Sequence, residues 1–287
     1  QKVVGATIAG DLGQYGFQFP MAENSIQLLL GAEWREDQLV SQPDDTSQIP
    51  GGRGFTGVGG GTLPVAGEVS LWEIFMETQI PLIEGKAFFE EFGINGAYRY
   101  SNYETDGNGV QNSFDTHTFS AGISWVPFSD VRLRGQFQRA VRAPNVIELF
   151  TGQNTGLFNS TPSANGLFDP CASATGIAPQ ATAAQCAFTG VSAAQYGSVP
   201  DNPAGQLNAV TGGNPLLNPE KSDTYTFGIV YTPSYLPGFN LAIDYFDIQI
   251  NDAISTIPPQ TALSNCVATG DPSFCNLIVR DGFGSLF

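Results

Sequence analysis

Hydrophobic and polar residues alternate along much of this chain with the period of two that a strand imposes on its faces. In 131–138, Val131, Leu133 and Phe137 share one parity, while Arg132, Arg134, Gln136 and Gln138 share the other. The same alternation predicts about eight strands, at 1–12, 26–36, 68–80, 89–103, 114–126, the first half of 131–150, 223–232 and 240–254. Leu28, Leu30 and Trp34 oppose Gln27, Glu33 and Arg35, and Tyr225, Phe227, Ile229 and Tyr231 oppose Thr224 and Thr226. In the last segment the apolar phase slips from Leu241, Ile243 and Tyr245 to Phe246, Ile248 and Ile250, which predicts a β-bulge near Tyr245.

Each strand so read has one greasy side, which needs either a packed second sheet or lipid. The connections separate these solutions. Those at 81–86, 127–130 and 233–238 are short and marked by proline, whereas 37–67, 106–113, 145–222 and 255 onward are mostly long and rich in Gly, Asn, Pro and Ala. A barrel crossing an outer membrane sorts its connections this way, with short periplasmic turns and long extracellular loops. A sandwich has no reason to. Trp34, Trp72, Tyr98, Tyr100, Trp125 and Tyr231 bunch at strand ends, as an interfacial girdle does. The predicted fold class is therefore all-β, a segment of an antiparallel transmembrane β-barrel. The long loop 145–222 reads as a capture or closure device at the outer face, or as a passive shield.

Composition agrees. Of 287 residues only 13% are charged, yet mean hydropathy is -0.05 and no long apolar run suggests a membrane helix. The net charge of -16 offers no basic stripe and argues against nucleic acid as a partner. Acidic loops keep the exposed regions soluble; a sharper reading is that they hold divalent cations or attract a cationic ligand. Four cysteines allow three pairings. The local one, Cys171 with Cys186 and Cys266 with Cys275, closes two short loops in an oxidising compartment. Zinc is a poor alternative, since the chain has neither CxxC spacing nor a histidine besides His117.

Catalytic readings fail early. A Ser-His-Asp site would need His117, which shares the parity of Phe119, Ile123 and Trp125. The glycine run Gly57 to Gly61 lacks the Lys-Ser/Thr and the strand-to-helix context of a phosphate cradle, and no cofactor is implied. Glu104, Asp106, Asn108, Asn112 and Asp115 echo a calcium loop, but strands flank them and a hairpin tip explains them. Glu33, Arg35, Glu73, Glu77, Arg99, Arg132, Arg134, Arg142 and Asp244 lie on the polar parity, where they are expected to pair across strands. Those near the outer rim, such as Arg142, are candidates to touch a ligand. Arg139 lies on the greasy parity and either snorkels to lipid headgroups or is turned inward by a bulge.

Arg139-Ala140-Val141-Arg142-Ala143-Pro144-Asn145, followed by Glu148-Leu149-Phe150, resembles the strand-to-loop passage in the barrel of TonB-dependent outer-membrane receptors. Gly213-Asn214-Pro215, Pro219-Glu220-Lys221-Ser222-Asp223-Thr224 and Gly228 resemble the return into the next strand, and Asp244-Tyr245-Phe246 the strand after it. Leu30-Gly31-Ala32-Glu33-Trp34-Arg35 also matches the pattern. The resemblance implies a 22-stranded barrel in the outer membrane of a Gram-negative bacterium, with an N-terminal plug. It also implies import of a scarce small ligand, energised by the TonB complex through that plug. Residues 1–287 would then be part of the barrel domain. Gln1 opens inside a strand and 281–287 lacks an alternating strand, so both ends read as interior to a longer protein. Arg142, Asn145 and Asn214, at the strand-to-loop passages, are the candidate ligand contacts. A passive porin and a secreted β-domain with adhesive loops are the competing readings.

Overall fold

The computed structural model describes residues 1–48 and 61–287, so the glycine run from Gly57 lies outside them except for Gly61. The chain divides into two compact units. The first comprises 1–41, 65–151 and 213–254, the second 42–64, 152–212 and 255–287.

The first unit is an eight-stranded sheet of β1 (Lys2–Asp11), β2 (Gln27–Ser41), β3 (Val65–Lys86), β4 (Phe89–Gly107), β5 (Val110–Phe128), β6 (Val131–Arg142), β9 (Glu220–Tyr231) and β10 (Leu241–Asn251), in that spatial order. Every pair is antiparallel. The eight strands are those the alternation predicts. Two further short strands, β7 (Asn154–Asn159) and β8 (Gln206–Thr211), pair with each other in the second unit.

Register carries the two parities across the sheet. Val4, Trp34 and Trp72 face one way, with Ile74, Tyr100 and His117 beside them, and Phe227 pairs with Tyr245 on the same side. This face is apolar and uncovered: Leu30 is 43% exposed, Ile74 51% and Phe227 59%. No second layer of the unit lies on it. The opposite face carries the charges, and several of them pair across strands, whereas Glu33, opposite Glu73, and Glu77 make no ion pair with any described residue. Arg99 donates to Glu73 at 2.8 Å, Arg132 to Glu91 at 3.1 Å and Arg134 to Asp244 at 2.7 Å. The last pair spans β6 to β10 over the intervening β9. Gly228 makes room for it, since a Cβ there would fall 2.2 Å from the Asp244 carboxylate.

Four expectations are corrected. Residues 81–86 are strand rather than turn: β3 passes through Pro81 with a register shift between Pro81 and Ile83 and turns at Ala87–Phe88. A bulge is where a strand tolerates proline, because no ladder donor is needed there. The 106–113 connection is not long. Strands reach Gly107 and resume at Val110, and Asn108 and Gly109, with φ of 52° and 75°, form the tip. Both central residues of such a tight hairpin need positive φ, which Asn and Gly accept most readily. The bulge near Tyr245 is absent, for β10 stays in register with β9 from Leu241 to Asn251. The ladder holds, and Phe246, Ile248 and Ile250 fall on the polar face opposite Thr226, Thr224 and Ser222. Arg139 is neither turned inward nor free: directly opposite Asp223, it makes two 2.7 Å hydrogen bonds to that carboxylate and lies 5.5 Å from the Phe119 ring.

β3, β4 and β5 have 22, 19 and 19 residues, about twice what crosses a bilayer. Towards the ends where β4 meets β5 the face that carries Trp72 and Tyr100 becomes polar, with Glu68, Ser70, Glu104 and Asp106 taking over from them, while Val69 and Leu71 are buried on the other face. The sheet thus extends beyond its apolar band.

The second unit has its own core of Leu167, Cys171, Ala172, Ala181, Cys186, Val191 and Val199. Cys171 is bonded to Cys186 and Cys266 to Cys275, the local pairing. The first pair joins the chain before α2 (Ala183–Phe188) to that helix, and the second ties α3 (Pro259–Thr269) to α4 (Pro272–Cys275). Arg280 is buried against Asp169 and also donates to Thr189 at 3.0 Å.

In the first unit a five-residue helix, α1 (Val146–Phe150), is seated by the fully buried Phe150, whose ring covers the paired Gly67 and Gly107. A Cβ on Gly107 would fall 2.6 Å from that ring. Gly107→Ala is therefore expected to unseat α1 at a cost of about 1–3 kcal/mol. Faster chymotryptic cleavage at Leu149 and Phe150 in the folded protein would report it, and an unchanged rate would refute the close packing.

Candidate ligand site at the end of the sheet

β6 ends at Arg142, and Pro144 keeps the preceding Ala143 out of helical geometry. Asn145 then caps α1: its side-chain oxygen accepts from the Glu148 N–H at 2.9 Å, and the Glu148 carboxylate accepts from the Asn145 N–H at 2.8 Å. This reciprocal pair is a capping box. Arg142 closes the arrangement, donating through Nη1 to Glu148 at 3.0 Å and through Nε to Glu220, the first residue of β9, at 2.7 Å. The other Glu220 oxygen accepts from the Ile254 N–H at 2.6 Å. Asn214 comes to the same helix by its backbone, its N–H donating to the Glu148 carbonyl at 2.9 Å, while its side chain accepts from Leu216 N–H at 3.0 Å.

The three predicted residues, Arg142, Asn145 and Asn214, thus converge on one short helix, as sequence spacing alone could not show. Each also has an internal task. Arg142 bridges two carboxylates, Asn145 caps α1 and Asn214 forms a turn. Burial pushes the Glu148 carboxyl up, but the hydrogen bonds from Arg142 and the Asn145 N–H outweigh it and hold the group below its ordinary value.

Beneath this helix lies a cavity of about 490 Å³, lined among others by Arg35, Leu39, Leu71, Tyr103, Arg142 and Asn145. A second, of about 470 Å³, runs along the polar face past Arg35, Glu73, Phe75, Arg99 and Tyr103. Glu73 is buried there and accepts from both Arg99 and Ser101, and the Arg99 guanidinium lies 4.6 Å from the Phe75 ring centre. Arg35 and Tyr103 line both cavities. The alternation puts Arg35 on this face, but no pattern in the sequence singles it out from the other arginines or places Tyr103 beside it. Both volumes lie in the range of small-molecule sites, where apolar walls carry a few convergent polar groups.

A family model described as TonB dependent receptor-like, β-barrel, matches residues 5–280. The chain belongs to this family. Its members are receptors and transporters of the Gram-negative outer membrane, and the uncovered apolar face of the sheet is what such a wall presents to lipid. No curated protein matches the chain. Among solved structures it is similar to a mutant ferric enterobactin receptor from Pseudomonas aeruginosa in complex with enterobactin, at 18% identity and a TM-score of 0.50. That likeness covers 86% of this chain and 26% of the other, so the chain spans about a quarter of the length of the structure it matches. At this identity the likeness speaks for the fold alone.

The Glu148 shift fixes a pH dependence. A carboxyl held below its ordinary 4.5 in the folded state stabilises that state above the ordinary value, and the contribution disappears as pH falls through the lowered one. Acidification through the lowered Glu148 value, below the ordinary carboxylate range, should therefore loosen α1, read as cleavage near Phe150 by an acid-active protease. In Arg142→Met this dependence should shrink, since the main donor to Glu148 is gone; an unaltered profile would assign the effect to another group.

Proposed function

We propose that this chain forms part of the wall of an outer-membrane receptor that binds a scarce small ligand at its extracellular end and imports it with energy from the TonB complex. The observation that carries this reading is the division of the sheet into two environments. One face is apolar and uncovered across eight strands, and the other is polar, paired in charge and cavity-bearing at one end. Lipid suits the first face and a wide aqueous bore the second. Residues 1–287 are then a portion of a barrel of the 22-stranded type. The plug, which couples to TonB, and the remaining strands belong to other parts of the whole protein. Arg142, Asn145 and Asn214 frame the site around α1. The reading involves transport without covalent chemistry.

Two measurements test it in the whole receptor. Shortening the loop between Cys171 and Cys186 should abolish ligand uptake while barrel insertion is retained, and normal uptake would remove the loop from the mechanism. Uptake by the unaltered receptor should also stop when TonB is absent, whereas a passive porin would continue. The lipid-facing assignment has its own check. Ile229→Arg should destabilise the inserted barrel by about 2–4 kcal/mol, and Thr226→Arg, on the other face, by far less. Equal costs would contradict the two-environment reading.

A further inference from the structure

α1 has only five residues, too few to hold a helix together in water, so its place depends on what its ends are tied to. At the N-terminal end the capping box and Arg142 provide the tie. Within the helix, the Glu148 carbonyl accepts from the Asn214 N–H. The C-terminal end is held from a different part of the sheet. Asn108, at the tip of the β4–β5 hairpin, donates through its side-chain amide to the Phe150 carbonyl at 2.7 Å, across 42 residues of sequence. A carbonyl in the last turn of a helix has no partner inside the helix, and here the hairpin tip supplies one.

The turn and the tie make different demands on this residue. With φ of 52°, position 108 needs a residue that accepts left-handed geometry, and glycine would meet that need without any side chain. Aspartate accepts the geometry too, but its ionised carboxylate has no proton to donate. Only the amide serves both the turn and the Phe150 carbonyl. The hairpin also receives the other half of Phe150, since Gly107, next to Asn108, and its partner Gly67 lie under the ring. What the seated helix covers is Val69, 6% exposed and packed with Val146, Leu149 and Phe150 at the wall of the 490 Å³ cavity. We propose that Asn108 is a positioning residue of the ligand site: the tip of the β4–β5 hairpin latches α1 over the cavity by its last carbonyl, and the cavity is unroofed when that bond is given up. The ties through Arg142 and Asn214 remain, so α1 opens about its N-terminal end. This deepens the import reading and rests on it only for what enters the cavity.

The test uses the whole receptor in detergent or nanodiscs, with Val69→Cys as the reporter and N-ethylmaleimide as the probe, the labelling of the receptor without that substitution being subtracted. Asn108→Gly, which keeps the turn and removes the donor, should speed labelling about fivefold, the equilibrium weight of one net hydrogen bond. Asn108→Asp, which sets a carboxylate against the Phe150 carbonyl, should speed it at least as much. Hydrogen exchange in the same two variants without the reporter cysteine should rise by a similar factor over 146–150 and stay unchanged over 89–107 and 110–128. This second measurement carries the test if Val69→Cys fails to insert. Unchanged labelling and exchange at α1 would overturn the latch. Exchange rising equally in β4 and β5 would do so too, because Asn108 would then serve the turn alone. TonB-dependent uptake by the unaltered receptor is measured apart from these variants, so a failure of the import reading and a failure of the latch are told apart.

Discussion

A single layer of β-sheet with one apolar face uncovered is stable only where something other than water solvates that face. This constraint organises the first unit. Eight strands satisfy one another's backbone groups in register, so the sheet interior needs no second layer to pair its amides. What remains is the choice of solvent for each face, and strict alternation makes it for every residue at once: no side chain can change face without its strand slipping by one residue. Arg139 shows the strength of the rule. A charge on the greasy face is kept in place and neutralised by Asp223 directly opposite, with the Phe119 ring against it.

The same constraint explains the glycines that matter. Where bulk must cross a neighbouring strand or a helix must settle on the sheet, a side chain is removed and not redirected. Gly228 lies under the Arg134–Asp244 pair, and Gly67 and Gly107 lie under Phe150. The second case builds the candidate site. Once Phe150 is seated, α1 roofs a cavity, its capping box fixes Asn145 and Glu148, and Arg142 ties the helix to the start of β9 through Glu220.

Periodicity made the eight strands and their faces legible, because the signal repeats over many residues. The local disulfide pairing was one of the readings open to a chain with two close pairs of cysteines. Strand ends were harder. Pro81 reads as a stop, yet a bulge absorbs it, and the hairpin tip that the residues around Asn108 suggest is tighter than a 106–113 connection, since two positive-φ residues suffice. The slip after Tyr245 was mistaken for a bulge because polarity and ladder register are separate properties. β7 and β8 in the long loop, and the buried pair of Asp169 with Arg280 from the last segment, left no periodic trace, since they depend on contacts between residues far apart in sequence. The candidate site was half visible: its motif residues were found, but nothing in the sequence placed Arg35 and Tyr103 beside them.

The second unit combines links of very different reach. Its disulfides span 15 and 9 residues, whereas Asp169 and Arg280 are 111 apart. Rings that small close at little entropic cost and need no strand to be in place. The crosslinks can therefore form between near neighbours in the chain, whereas the ion pair needs two segments far apart in sequence to meet.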